Sequence, residues 1–227
     1  MIFHLHNLYV DIGNTAVKWL FDGQYHSVLV ADFSIDLLPK SSQAFVSCVT
    51  DRSLLDGFND AIFVESQATF QSFVSAYEQS NKLGVDRFLA MIAAIDQLPN
   101  QNLLIIDAGS ALTFDLVLAS GEHEGGLIMP GLGKLRRSFA QFESCSKNLT
   151  LKSTANNTTD AWEFGTANML MSVIKDQIEQ HQTALGDLRV VLTGGDAKIV
   201  AYRLNHQVDI ESYLVLDGLA LYAQSLN

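Results

Sequence analysis

The sequence predicts an α/β fold made of two similar halves, residues 1–99 and 100–227, each a mixed five-stranded sheet flanked by helices. Three observations lead there. The stretch LYVDIGNTAVKWL at 8–20 runs from an apolar segment into Asp11, turns through Gly13-Asn14-Thr15 and returns to apolar character, the pattern of strand, tight turn and strand. The stretch LLIIDAGSALTFDLVL at 103–118 repeats it, with Asp107, Gly109 and Ser110 in the corresponding places. Both copies then pass through a turn into a third strand, Asp22-Gly23 before 24–33 and Ser120-Gly121 before 124–129.

The remaining elements follow in order. In the first half, QAFVSCV at 43–49 is a buried fourth strand, Thr50-Asp51 caps a short helix over 51–58, and 61–64 is a brief strand. Residues 69–79 are polar with Phe70, Phe73, Val74 and Tyr77 at helical spacing, which predicts a helix along a surface groove. Gly84-Val85-Asp86-Arg87 opens FLAMIAAIDQL, a helix rich in Ala, Leu and Met, and Pro99-Asn100 ends it at the domain boundary. In the second half, Gly125-Gly126 and Pro130-Gly131 bracket a strand. Residues 134–142 read as a helix whose Lys134, Arg136 and Arg137 form a solvated face, and the polar stretch 144–157 reads as a loop. Helix 158–179, a buried strand 188–192 ending in Thr193-Gly194-Gly195, a helix from Asp196-Ala197 and a last helix 213–225 complete the chain.

Composition bounds the function. An apolar content of 48% with 17% charged residues over 227 positions is that of a compact globular chain. A net charge of −11 argues against nucleic-acid or anionic-membrane partners, which need a basic surface. The N-terminus lacks a basic segment ahead of an apolar one, and no run approaches the roughly 18 apolar residues of a membrane span, so a cytoplasmic protein is expected. Cys48 and Cys145 stand alone, as buried free thiols rather than a zinc or disulfide framework. The six histidines show no ligand spacing beyond His4-x-His6, and no transition-metal site is assigned.

The duplicated hairpin carries chemistry. Small residues at such a bend leave backbone N–H groups uncovered, so a phosphate oxygen can approach, and Lys18 can reach the same anion from the second strand. Asp11 cannot hold phosphate itself, but it can carry a Mg²⁺ ion, through water, that neutralises a polyphosphate. At Gly194-Gly195 the missing side chains let a flat adenine or ribose lie against backbone. Two such halves facing each other across a nucleotide cleft resemble the superfamily of actin, sugar kinases and heat-shock ATPases, whose domains are ribonuclease-H-like.

Five ordered motifs make the resemblance specific: DIGNTAVK at 11–18, GVDR at 84–87, DAGSA at 107–111, GGLIMPG at 125–131 and LTGGDA at 192–197. The chain resembles type III pantothenate kinases from about Tyr9 to the C-terminal LVLDGLALYA. The resemblance implies ATP-dependent phosphorylation of pantothenate at its terminal hydroxyl, with Mg²⁺ and a monovalent cation such as K⁺ or NH₄⁺, in a homodimer. It assigns Asp11, Ile12, Gly13, Asn14, Thr15, Ala16, Val17, Lys18 and Ser110 to ATP, and Asp107 to the monovalent cation. Tyr77, Gly84, Val85, Asp86, Arg87 and Thr158 would contact pantothenate, and Asp86 would accept the hydroxyl proton. Ser110 stands where the family usually has Thr, which keeps the hydroxyl. Taken singly, Asp11 and Asp107 also read as turn residues at strand ends, Asp86-Arg87 as a capped helix start, Tyr77 as an aromatic on a helical face and Thr158 as an N-cap. A kinase of the same fold for another small alcohol or acid, or a nucleotide-dependent binding protein, fits those single readings as well.

Overall fold

The computed structural model describes residues 7–41, 43–58, 61–142 and 148–226. The His4-x-His6 pair and Cys145 lie outside the described residues. Contacts divide the chain into two compact units. The first gathers the chain up to Pro99, Ser120–His123 and the segment from Tyr213 onward; the second holds Asn100–Ala119 and Glu124–Ser212. The last helix therefore packs in the first unit, whereas the sequence predicts a contiguous second half, 100–227.

In the first unit β1 (Asn7–Ile12) is the central strand of the order β3-β2-β1-β4-β5, with β2 (Ala16–Phe21), β3 (Gln24–Leu29), β4 (Gln43–Cys48) and β5 (Ala61–Phe63). The first three strands form an antiparallel meander, and β4 and β5 add in parallel. The meander's second turn has both Asp22 (φ 46°) and Gly23 (φ 75°) in the left-handed region, the geometry that matches hairpin twist. Leu8, Val10 and Ile12 lie on one face against Val17, Trp19, Ala44 and Val46, and Tyr9 stacks on Phe45 on the other face. Helices α1 (Val85–Gln97) and α5 (Leu214–Gln224) pack so closely that a Cβ on Gly218 would lie 2.2 Å from the Leu89 carbonyl oxygen. Asp217 locks α5 in place. It accepts hydrogen bonds from Tyr25 Oη at 2.7 Å and Gln97 Nε2 at 3.2 Å, while Tyr25 stacks on Tyr213.

Three expectations change here. The third strand stops at Leu29, and a short 3₁₀ turn at Val30–Asp32 follows. The helix expected over 51–58 is a 3₁₀ turn, Arg52–Leu55, and Asp51 does cap it, accepting from Ser53 N at 2.9 Å. Residues 69–79 hold no helix; they form a small hairpin of β6 (Thr69–Phe70) and β7 (Phe73–Val74), turned by Gln71 at φ 51°. A two-residue turn makes residues three apart cross-strand partners, here Phe70 and Phe73, so a hairpin reproduces the apolar spacing of a helix.

The second unit repeats the sheet in the order β10-β9-β8-β11-β12, with β8 (Leu103–Ala108), β9 (Ala111–Val117), β10 (His123–Pro130), β11 (Arg189–Thr193) and β12 (Asp209–Ile210). β9 pairs antiparallel to β8, and β11 and β12 add in parallel. The two-residue β12 is too short to leave a periodic signal in sequence. Its core packs Leu104, Ile106, Phe114, Val190 and Leu192 against Leu170, Met171 and Ile174 of α3 (Thr158–Leu185). That helix runs past the expected residue 179 and ends where Gly186 takes φ 74°. α4 (Ala197–Arg203) follows β11 as expected.

The helix expected over 134–142 is α2 (Leu132–Arg136) followed by a 3₁₀ turn. Lys134 and Arg137 are exposed, but Arg136 is buried rather than part of a solvated face. Its Nη2 donates to the carbonyls of Asn148 and Glu163 at 2.8 and 3.1 Å, and its Nε to Thr166 Oγ1 at 3.2 Å. A guanidinium presents a planar fork of donors, so it suits several fixed acceptors at once. Among the described residues no helix is long and apolar enough to cross a membrane.

Candidate active site

Strand register sets the surroundings of Asp11. On β1 it lies opposite Lys18 of β2 and Ser47 of β4, and Ser47 Oγ donates to its Oδ1 at 3.0 Å. One residue further the chain turns. Gly13 N donates to Ala16 O at 3.1 Å, and Asn14 and Thr15 stand exposed at the tip. Asp11, Ile12 and Val17 are buried, whereas Gly13, Ala16 and Lys18 are half-buried. The backbone of the bend and the Lys18 ammonium are thus what this hairpin offers an anion. Burial pushes the Asp11 carboxyl up to about 6; Lys18 and the Ser47 hydrogen bond oppose that shift, and the charge of Asp86 adds to it.

That repulsion means Asp86 lies within electrostatic reach of Asp11. Asp86 occupies the first turn of α1, and Gly84 is the cap residue. Its Oδ1 accepts from Arg87 N at 2.8 Å, and a Cβ on Gly84 would come within 2.7 Å of the same oxygen. The positive end of α1 favours a carboxylate there. Arg87 is buried, and its Nη1 donates to Tyr77 Oη at 2.9 Å. Tyr77, just past β7, lies nearly parallel to His123, with ring centroids 6.1 Å apart and planes 9° apart. The structure therefore brings Asp11, Lys18, Tyr77 and the GVDR segment into one unit, with Asp11 and Asp86 electrostatically coupled.

In the second unit Asp107 holds the place of Asp11, opposite Thr113 of β9 and Thr193 of β11. Gly109 N donates to Ala111 O at 2.9 Å to close the bend, and Gly131 N donates to Ser110 O at 3.2 Å. Gly131 cannot carry a side chain, because a Cβ would lie 2.0 Å from Gly109 O. At Gly194 (φ 91°) a Cβ would lie 2.2 Å from Asp107 Oδ1 and 2.6 Å from Ala108 O. Carboxylate and carbonyl oxygens at this strand end are the donors a hard cation takes. Thr158 is the exposed first residue of α3; the N-cap is Asn157, whose side chain accepts from Asp160 N at 2.9 Å. Among the described residues no group of three or more His, Cys, Asp or Glu side chains could hold a metal. A single carboxylate such as Asp11 still fits a Mg²⁺ ion that takes its other ligands from phosphate and water.

A family model for type III pantothenate kinase matches residues 7–180. The chain belongs to the type III pantothenate kinase family. A type III pantothenate kinase of Colwellia psychrerythraea is 31% identical over 242 residues, covering 95% of this chain and 97% of that protein. Among solved structures, a Baf family protein of Campylobacter jejuni shares 22% identity with a TM-score of 0.64, over 97% of this chain and all of that one. The activator of the 2-hydroxyisocaproyl-CoA dehydratase from Clostridium difficile, with bound ADPNP, shares 13% identity with a TM-score of 0.52, over 97% of this chain and 95% of that one. These likenesses carry the fold, two ribonuclease-H-like sheets of the actin and sugar-kinase type, and nothing finer.

For this type III pantothenate kinase family member, Ser47 and His123 join the site with little warning in the sequence. Ser47 sits in an apolar strand and gains its place only through β4 pairing beside β1; the turn at Ser120-Gly121 was visible, but not what it carries.

Burial pushes the Asp11 carboxyl up to about 6 in the folded chain, from an ordinary value of 3.8. Between those values the folded state binds more protons, so stability falls as pH rises through the window, by on the order of 3 kcal/mol in all. Asp11→Asn should consequently be more stable than the parent chain at pH 8 by about 1–3 kcal/mol, with the gain vanishing toward pH 4. Urea unfolding across that range checks it. A variant less stable than the parent at pH 8 would mean that the attraction of Lys18 outweighs burial.

Proposed function

We propose that this chain transfers the γ-phosphoryl group of ATP to the terminal hydroxyl of pantothenate, the first committed step toward coenzyme A, and that it does so in the cytoplasm. Family membership supports the activity, and one observation supports the assignment of residues: acids from two separate motifs, Asp11 and Asp86, lie within electrostatic reach of each other beside the Arg87–Tyr77 pair.

In this proposal Asp11, Ile12, Gly13, Asn14, Thr15, Ala16, Val17 and Lys18 hold the ATP phosphates, with Ser110 contributing its hydroxyl from the repeated bend. Mg²⁺, when bound, would offset phosphate charge, and Asp11 would hold it. A carboxyl raised by burial and by a neighbouring acid is one that a bound cation would return to its ionised form. Asp107 takes the monovalent cation at the strand end where Thr113 and Thr193 are its partners in register and the Ala108 carbonyl lies close by. Gly84, Val85, Arg87, Tyr77 and Thr158 bind pantothenate. Asp86 orients the hydroxyl in line with the γ-phosphate and accepts its proton, a modest demand because phosphoryl transfer passes through a loose transition state.

Asp86→Asn keeps the shape and removes the charge, so kcat should fall by roughly 10²- to 10⁴-fold with ATP affinity little changed. Steady-state kinetics and an ATP titration decide between roles: near-parental kcat would leave Asp86 a helix-start residue, and lost ATP binding would move it to the nucleotide. Exchange of potassium for sodium should depress turnover strongly, whereas equal rates in both salts would remove the cation from Asp107. Light scattering should give twice the chain mass, as a homodimer requires; a fully active monomer would contradict that part of the proposal.

A further inference from the structure

The turn between β9 and β10 returns the chain to the first unit at Ser120–His123, and there it does something the hairpin repeat does not require. Gly121 accepts a hydrogen bond from Val74 N at 3.1 Å, and Glu122 bridges to Val74 in parallel, so the segment extends the small β6–β7 sheet. The approach is close: at Gly121 (φ 93°) a Cβ would lie 2.1 Å from Ser72 O. This contact delivers His123, 3% exposed, between two rings. One is Phe73, at 6.1 Å and 26°; the other is Tyr77, at 6.1 Å and 9°. Phe73 in turn meets Phe88 of α1 edge-on at 5.5 Å.

The rings form a closed ladder. It runs from Phe88 through Phe73 and His123 to Tyr77, whose hydroxyl accepts from Arg87, the residue next to Phe88 in the chain. Tyr77 is half-buried and lies outside any strand or helix, so its ring plane depends on what it packs against. Arg87 Cζ lies 5.8 Å from the centroid of that ring, so the guanidinium orientation depends on the same plane. We infer that His123 is a positioning residue for the acid-substrate side of the reaction: its ring holds Tyr77, and through Tyr77 the Arg87 guanidinium, in the orientation that receives pantothenate. The inference rests on the proposed assignment of Tyr77 and Arg87 to pantothenate. It adds that the orientation of this pair depends on a segment distant in sequence from both.

The test compares His123→Asn, which keeps a polar side chain without an aromatic ring, with His123→Phe, which keeps the ring. The Asn variant should raise KM for pantothenate about three- to tenfold, the change expected from one lost aromatic pair, and leave KM for ATP within about twofold. The Phe variant should return KM for pantothenate to within about twofold of the parent. If the Asn variant does not fold, His123→Leu carries the same comparison with the apolar volume kept. Unchanged pantothenate KM in the ringless variants, or an equal rise for ATP, overturns the role of His123. Tyr77→Phe and Arg87→Lys, measured alongside, separate this from the reading beneath it. If they too leave pantothenate KM unchanged, the substrate assignment fails and the inference with it; if they raise it while His123→Asn does not, the inference alone fails.

Discussion

A carboxylate buried at the end of a central strand is the constraint on which the first unit depends. Asp11 sits in β1 with strands on both sides and a core beneath, where an ionised group is disfavoured, and the neighbours that register supplies only partly compensate. Lys18 brings opposite charge from the antiparallel side and Ser47 a hydroxyl from the parallel side. Asp86, entering from the start of α1, works against both. A sheet optimised for stability alone would carry an apolar residue at this position. An acid kept there against burial and a second negative charge is a site that gains from a bound cation.

The second unit has the same strand pattern around a different chemical environment. Asp107 is flanked in register by Thr113 and Thr193 where Asp11 has Lys18 and Ser47. Its surroundings are tightened instead by glycine. Gly194 leaves room for the carboxylate and Gly131 lets the chain press on the bend at Gly109. The duplicated framework thus keeps its strand pattern while the residues beside the two acids differ.

Much of this is legible in the sequence because it is local. The two hairpins, the glycines that follow them and the GVDR helix start each announce themselves within a few residues, and Asp11, Asp86 and Asp107 fall at element ends where turn and cap chemistry marks them. What is not legible depends on contacts between distant segments. Periodicity cannot separate the β6–β7 hairpin from a helix, because a tight turn places Phe70 opposite Phe73 at the spacing a helix also uses. Arg136 looks solvated until three acceptors from the 148 region and α3 close around it. The last helix gives no sign in its own residues that it belongs with the first unit; Gly218 against Leu89, and Asp217 between Tyr25 and Gln97, show where it docks.

Those long-range attachments share a design. Asp217 joins α5 to the edge of the first sheet and to α1, and the 120–123 segment joins the β6–β7 hairpin to the aromatic ladder that ends on Arg87. Both attachments converge on α1, the helix whose first turn carries Asp86 and Arg87. A helix start is prone to fray, since its first N–H groups lack intrahelical partners. Here the Asp86 carboxylate accepts from the backbone of that turn, Arg87 is buried and tied to Tyr77, and the body of α1 is fixed by α5 at a glycine contact that tolerates no side chain. These contacts gather at the helix start that carries Asp86 and Arg87, the pair proposed to face the substrate, at consecutive positions. Consecutive residues in a helix are separated by about 100° around its axis. Asp86 and Arg87 can therefore serve different atoms of one bound molecule only if the helix itself does not rotate, and it is the packing of segments far apart in the chain that prevents it.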